Sequence, residues 1–180
     1  MRRHYCYFCA FTTQQAENIW LHADAAWGGS YLLCPELKSE YLPGSHLTDS
    51  WAWNPHKMLG AALQASLLVC RHPGLLHQTN SASASYLFQQ DKFYDVSYDT
   101  GDKSVQCGRK TDAFKIWFMM RVRGEAWLAD SVKRAHDMSR LMEAKVEKHP
   151  NFKMVLEPSC TNINFVYVPP CLQDLEGNKA

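Results

Sequence analysis

Apolar positions come in short clusters in the first half of the chain and at helical spacing in the second half. Residues 19–24, "IWLHAD", read as a short buried strand ending on an acid, and "AAWGGSY" follows as a loop with two glycines. Residues 49–54, "DSWAWN", read as a second short strand. Residues 64–70, "QASLLVC", read as a third, apolar enough to be covered on both faces. Residues 73–79 predict a short helix with Pro73 at its start. From about 80 to 110 the chain is polar and aperiodic, and a loop of that length in a compact domain is functional or mobile. Residues 111–123 predict a buried helix, capped by Thr111 or Asp112 and stopped by Gly124. Residues 125–148 predict a long amphipathic helix with Leu128, Val132, Ala135, Met138, Met142 and Val146 near one stripe. "FKMVLE" and "NINFVYV" then read as two strands joined around Pro158, and Pro169-Pro170 breaks the chain. There is no internal repeat. The order predicts the end of an α/β domain followed by the start of a smaller α+β domain, with the boundary near residue 125.

Composition narrows the classes. The chain has 180 residues, 46% of them apolar, and a net charge of +1. That excludes a disordered or polyanion-seeking protein, so nucleic acid is not an expected partner. No apolar run approaches the roughly 20 residues of a membrane span, and Tyr5, Cys6, Tyr7 and Cys9 interrupt any signal-peptide core at the N-terminus. Seven cysteines, an odd number without framework spacing, favour reduced thiols and a cytoplasmic address. Cys6 and Cys9 form a C-x-x-C pair, but His22 and Cys34 do not supply the second pair of a zinc site, so no metal is expected.

Candidate chemistry gathers at two strand ends. Asp24 lies in "HADAAWGG", and Lys57 in "WNPHKMLG", a cation set among apolar neighbours. An unpaired buried ammonium is costly, so such a lysine is paired, reaches solvent, or has become something other than an ammonium. In open α/β sheets ligands bind beyond the carboxyl ends of strands. An acid and a lysine delivered there make either a structural ion pair or a cofactor site. Pyridoxal phosphate uses both groups: an amine for its aldehyde and a carboxylate for its ring nitrogen. From the residues alone, Asn54 and His56 read equally as turn or core polar groups.

"HADAAWGGS", "NPHKMLG" and "SYLFQQDKFYDVSYDTGDKSVQCGRKTDAFKIW" resemble the group II pyridoxal-phosphate-dependent amino-acid decarboxylases, over about residues 19–170. The likeness is strongest to the branch that acts on cysteine sulfinate, aspartate or glutamate. It implies the aspartate aminotransferase-like (type I) fold: residues 19–124 as part of the cofactor-binding large domain, with a catalytic loop at about 80–110, and 125–180 as the interdomain helix and a partial small domain. Residues 1–18 are read as an unmatched N-terminal segment. The cofactor implied is pyridoxal 5'-phosphate. Lys57 would hold it covalently, Asp24 would face the pyridine nitrogen, Ala26 would pack on the ring, and Asn54 and His56 would lie near the phosphate. Tyr86 would be the loop tyrosine that returns a proton to the α-carbon, with a plain loop-pinning aromatic as the other reading. The resemblance also implies a homodimer with sites built across its interface.

Against that family the chain is short. The segments that would supply a ring-stacking histidine and a substrate-binding arginine are not recognisable in it. The expectation is a fragment of a carboxy-lyase, inactive alone, with a non-catalytic dimerisation or regulatory fragment as the alternative. Transamination or oxidative deamination is a third reading, which the loop tyrosine disfavours.

Overall fold

The computed structural model describes residues 16–82, 89, 91–106 and 110–172. Its first unit is a parallel crossover. Strand β1 (His22–Asp24) leads into a 3-10 segment at Gly28–Leu33 and helix α1 (Pro35–Tyr41), and the chain returns as β2 (Ser50–Trp53). Pro35 sits in the first turn of α1, where its missing N–H costs nothing. The strands pair in parallel, Asp24 opposite Ala52, as a crossover with a helix between its strands requires. β3 (Leu67–Cys70) then joins β2 antiparallel, Trp53 opposite Leu67, giving the order β1-β2-β3.

β3 departs from expectation. Among the described residues it pairs on one side only, and Leu68 and Val69 are exposed. The continuous apolar run has the pattern of a doubly covered strand, but here the strand is an edge.

Helix α2 (Leu75–Asn80) begins two residues after Pro73. The polar stretch beyond it holds two 3-10 turns, Val96–Tyr98 and Gly101–Lys103. These are tied together by a Lys92–Asp99 ion pair at 2.7 Å and a bond from Lys103 Nζ to the Ser97 carbonyl at 2.6 Å.

Helices α3 (Asp112–Arg123) and α4 (Glu125–Lys148) match the predicted spans. Gly124 separates them at φ +75° and ψ 159°, a region open essentially to glycine alone. α3 is not the buried helix expected. Ile116 is buried, with Met119 and Met120 beside it against Ala61 and Ala65, while Phe114, Trp117, Phe118 and Val122 are exposed. Apolar residues ring this helix, so its pattern names no single inward stripe.

α4 also turns a different stripe inward. Leu128, Val132, His136, Ser139 and Val146 are buried, whereas Met138 and Met142 are exposed. The spacing of 4, 4, 3 and 7 follows the helical repeat through two polar positions, which an apolar template skips. Strands β4 (Phe152–Met154) and β5 (Phe165–Tyr167) form an antiparallel hairpin around Pro158, sealed by Phe152 against Phe165 and Tyr167.

The main core joins Tyr31, Cys34, Leu37, Leu42 and Leu59 to Leu128 and Val132 of α4. The long helix therefore packs directly beneath the segment that follows β1. No helix among the described residues is long and apolar enough to cross a membrane.

Candidate active site

β1 and β2 are parallel, so their carboxyl ends lie at the same edge of the sheet. There the two following loops are stitched together. Ala25 N–H donates to the Ala52 carbonyl at 3.0 Å, and Asn54 N–H donates to the Ala26 carbonyl at 3.2 Å. The Asp24 carboxylate is exposed and accepts from Ala26 N–H at 3.1 Å, a short turn bond that fixes it relative to its own backbone. One turn beyond Asn54, Lys57 N–H donates to the Asn54 carbonyl at 3.0 Å. The backbone thus brings Asp24, Ala26, Asn54 and Lys57 into one pair of adjoining loops.

Lys57 itself is exposed, which corrects the core-like setting its neighbours suggested. The buried residues of the turn are Pro55 and Leu59, two positions either side, and Lys57 lies on the solvent side between them. Of the options open to such a lysine, this chain takes the one that leaves the amine in reach of a ligand.

His56 has a structural duty. Its Nδ1 lies 2.6 Å from the Ala65 carbonyl and 3.1 Å from Ala65 N–H, closing the loop of residues 56–65. Any role toward a phosphate therefore falls to Nε2. Gly29 allows the β1 loop to close on β2, because a Cβ there would sit 2.7 Å from Cδ1 of Trp53. Trp53 in turn donates from its indole to Ser30 Oγ at 3.0 Å. Tyr86 lies outside the described residues.

Behind these loops is a polar cluster that sequence reasoning missed. The Tyr31 hydroxyl is 2.7 Å from His136 Nδ1 and lies against the Cys160 thiol. Burial, reinforced by Cys160, pushes the Tyr31 phenol well above its ordinary range. Burial, with Arg140 acting in the same direction, holds His136 below the usual histidine value. Burial also raises the Cys160 thiol. Both shifts favour the uncharged forms, a protonated phenol beside a neutral imidazole. Arg140 donates to the Cys160 carbonyl at 2.7 Å and pairs with Glu143 at 2.9 Å. Trp27 donates from its indole to Thr161 Oγ1 at 2.8 Å. The one signal that could have found His136 is its place on the α4 repeat, four residues after Val132. Nothing in the sequence pairs Tyr31 with Cys160, or Trp27 with Thr161.

An exposed amine and an exposed, backbone-fixed carboxylate on adjoining loops, with only the small Ala25 and Ala26 between Asp24 and Trp27, suit pyridoxal phosphate in donor chemistry. That fit is matched by likeness. The pyridoxal-dependent decarboxylase conserved domain matches residues 9–168, reaching into the segment 1–18 that the motifs left unmatched, and the chain belongs to that family of mixed α/β proteins. It is 50% identical over 163 residues to the acidic amino acid decarboxylase GADL1 of Mus musculus, covering 90% of this chain and 30% of that protein. It is 46% identical over 160 residues to the cysteine sulfinic acid decarboxylase of Homo sapiens, covering 88% of this chain and 32% of that protein. Among solved structures, mouse CSAD superposes with a TM-score of 0.84 at 40% identity, over 94% of this chain and 34% of that one. The chain spans about a third of the length of the relatives it matches.

Proposed function

We propose that the chain carries the lysine–aspartate half of a pyridoxal-phosphate-dependent carboxy-lyase that removes the α-carboxylate of a small acidic amino acid. Cysteine sulfinate and aspartate are favoured over glutamate. The observation that carries this is the pair of stitched loops, which present Asp24 and Lys57 from the carboxyl ends of neighbouring parallel strands. The names of the relatives support the acidic substrate class.

In this reading, Lys57 Nζ is the nucleophile that tethers the cofactor and later frees the product amine. When bound, the cofactor supplies an electron sink for the bond left by departing carbon dioxide. Asp24 keeps a proton on the pyridine nitrogen, and its Ala26 N–H bond holds the carboxylate at a fixed angle for that task. Ala26 offers a small, apolar contact to the ring. Asn54 and the Nε2 edge of His56 lie toward the phosphate. Tyr86 returns the proton to the α-carbon. Residues 19–124 belong to the large domain and 125–180 to the interdomain helix and small domain. The working unit is a homodimer in the cytoplasm.

The test is absorbance of the purified chain with added pyridoxal phosphate. A visible band that disappears in Lys57→Ala supports the assignment, and a band that survives the substitution refutes it. Absence of any band in the parent chain supports the alternative, a non-catalytic fragment of such an enzyme.

A further inference from the structure

The segment that leaves Asp24 is gripped by a turn more than 130 residues away. Trp27 donates to Thr161 Oγ1 at 2.8 Å. A Cβ on Gly28 would lie 3.7 Å from Cys160 Sγ, so the Gly28 backbone packs against that sulfur. Tyr31 reaches the same cysteine from the core side. Trp27 and Tyr31 thus contact two consecutive residues of the β4–β5 turn, and the Gly28 backbone runs close to the same turn.

That turn is itself well held. Ser159 and Asn162 exchange backbone bonds at 2.8 and 3.2 Å, and Arg140 of α4 fixes the Cys160 carbonyl at 2.7 Å. On the other side of Trp27, the Ala26 peptide is bonded through both ends, its N–H to Asp24 Oδ1 and its carbonyl to Asn54 N–H. Trp27, whose side chain is anchored on the C-terminal hairpin, therefore directly follows the turn of residues 24–26. The Trp27 ring is half-exposed, so the indole bond to Thr161 is what ties it to the hairpin.

We propose that Thr161 is a positioning residue: through the Trp27 indole it fixes the turn that orients the Asp24 carboxylate, so that the C-terminal hairpin sets how tightly the Asp24 site holds a cofactor carrying a pyridinium. This rests on the proposed function for its ligand, while the coupling from Thr161 to Asp24 is a property of the chain alone.

The experiment compares the 180-residue chain with Thr161→Val, which keeps the shape and removes the accepting oxygen, and with Thr161→Ser, which keeps that oxygen. Two readouts are taken: amide hydrogen exchange at Ala26 and Asn54, and the dissociation constant for pyridoxal phosphate. Valine is expected to speed exchange at both amides and to weaken cofactor binding by roughly two- to tenfold, the range of one net hydrogen bond. Serine is expected to restore both. Unchanged exchange in the valine variant overturns the proposal, and so does faster exchange with unchanged affinity. If the parent shows no Lys57-dependent band, the functional reading falls, and the exchange data still decide whether Thr161 holds the Asp24 turn.

Discussion

Tyr31 and His136, 105 residues apart in the chain, share a buried hydrogen bond of 2.7 Å. It connects the segment leaving the candidate site to the middle of α4. Tyr31 is 1% exposed and His136 8%. Tyr31→Phe keeps the ring and leaves His136 Nδ1 without its hydroxyl partner. The expected cost is about 1–3 kcal/mol, the penalty for an unsatisfied buried polar group. Urea unfolding measures it, and a loss below about 0.5 kcal/mol would show that the bond is dispensable.

The same pair predicts a pH dependence. The folded His136 has a pKa below the unfolded value of about 6.5, because burial disfavours its charge; Arg140 and Lys133 add to this, and Asp137 and Glu40 oppose it. As pH falls through about 6.5, the unfolded chain takes up a proton that the folded chain resists, so stability is full above that pH and declines below it. His136→Gln should flatten this decline. Urea midpoints at about pH 7.5 and 5.5 for both proteins check it, and equal slopes would remove His136 as the cause.

Leu128 is fully buried where α4 meets the core. Leu128→Ala should cost about 2–5 kcal/mol. It should also loosen the 3-10 segment at Gly28–Leu33, which packs on α4. Hydrogen exchange of that segment, compared with helix α2, which packs on the Gly101–Lys103 turn, separates a local from a global effect.

Gly29→Ala places a methyl 2.7 Å from Cδ1 of Trp53. The ring belongs to β2 and is bonded to Ser30, so it yields poorly. A loss of about 1–3 kcal/mol is expected from overpacking. Because Trp53 immediately precedes Asn54, weakened pyridoxal phosphate binding should accompany it. Unchanged tryptophan near-ultraviolet dichroism would show that the ring had not moved.

Much of this was legible in the sequence, and the failures share a cause. Helix spans followed from periodicity and from Gly124, and strand ends from the Asp24 and Lys57 motifs. Which face turns inward was less legible. His136 points into the core because the long-range partner Tyr31 meets it there, and Ser139 because its hydroxyl is satisfied by the His136 carbonyl of its own helix; a polarity rule cannot foresee such partners. The aromatic run of α3 and the apolar run of β3 likewise carry the composition of covered surface without indicating what covers it. Lys57 was misplaced for a local reason: its apolar neighbours alternate around a turn, so burial at positions 55 and 59 implies exposure at 57.

The break between α3 and α4 complements Gly29. At Gly124 the backbone angles suit only glycine, yet a methyl there would meet nothing within 4 Å. Gly124→Ala therefore isolates dihedral strain, about 1–3 kcal/mol, free of any steric neighbour. Relief of crowding at Trp53 would rescue the first glycine substitution and leave the second untouched. The two sites thus form a calibrated pair, one scale for torsion and one for collision, within a single polypeptide.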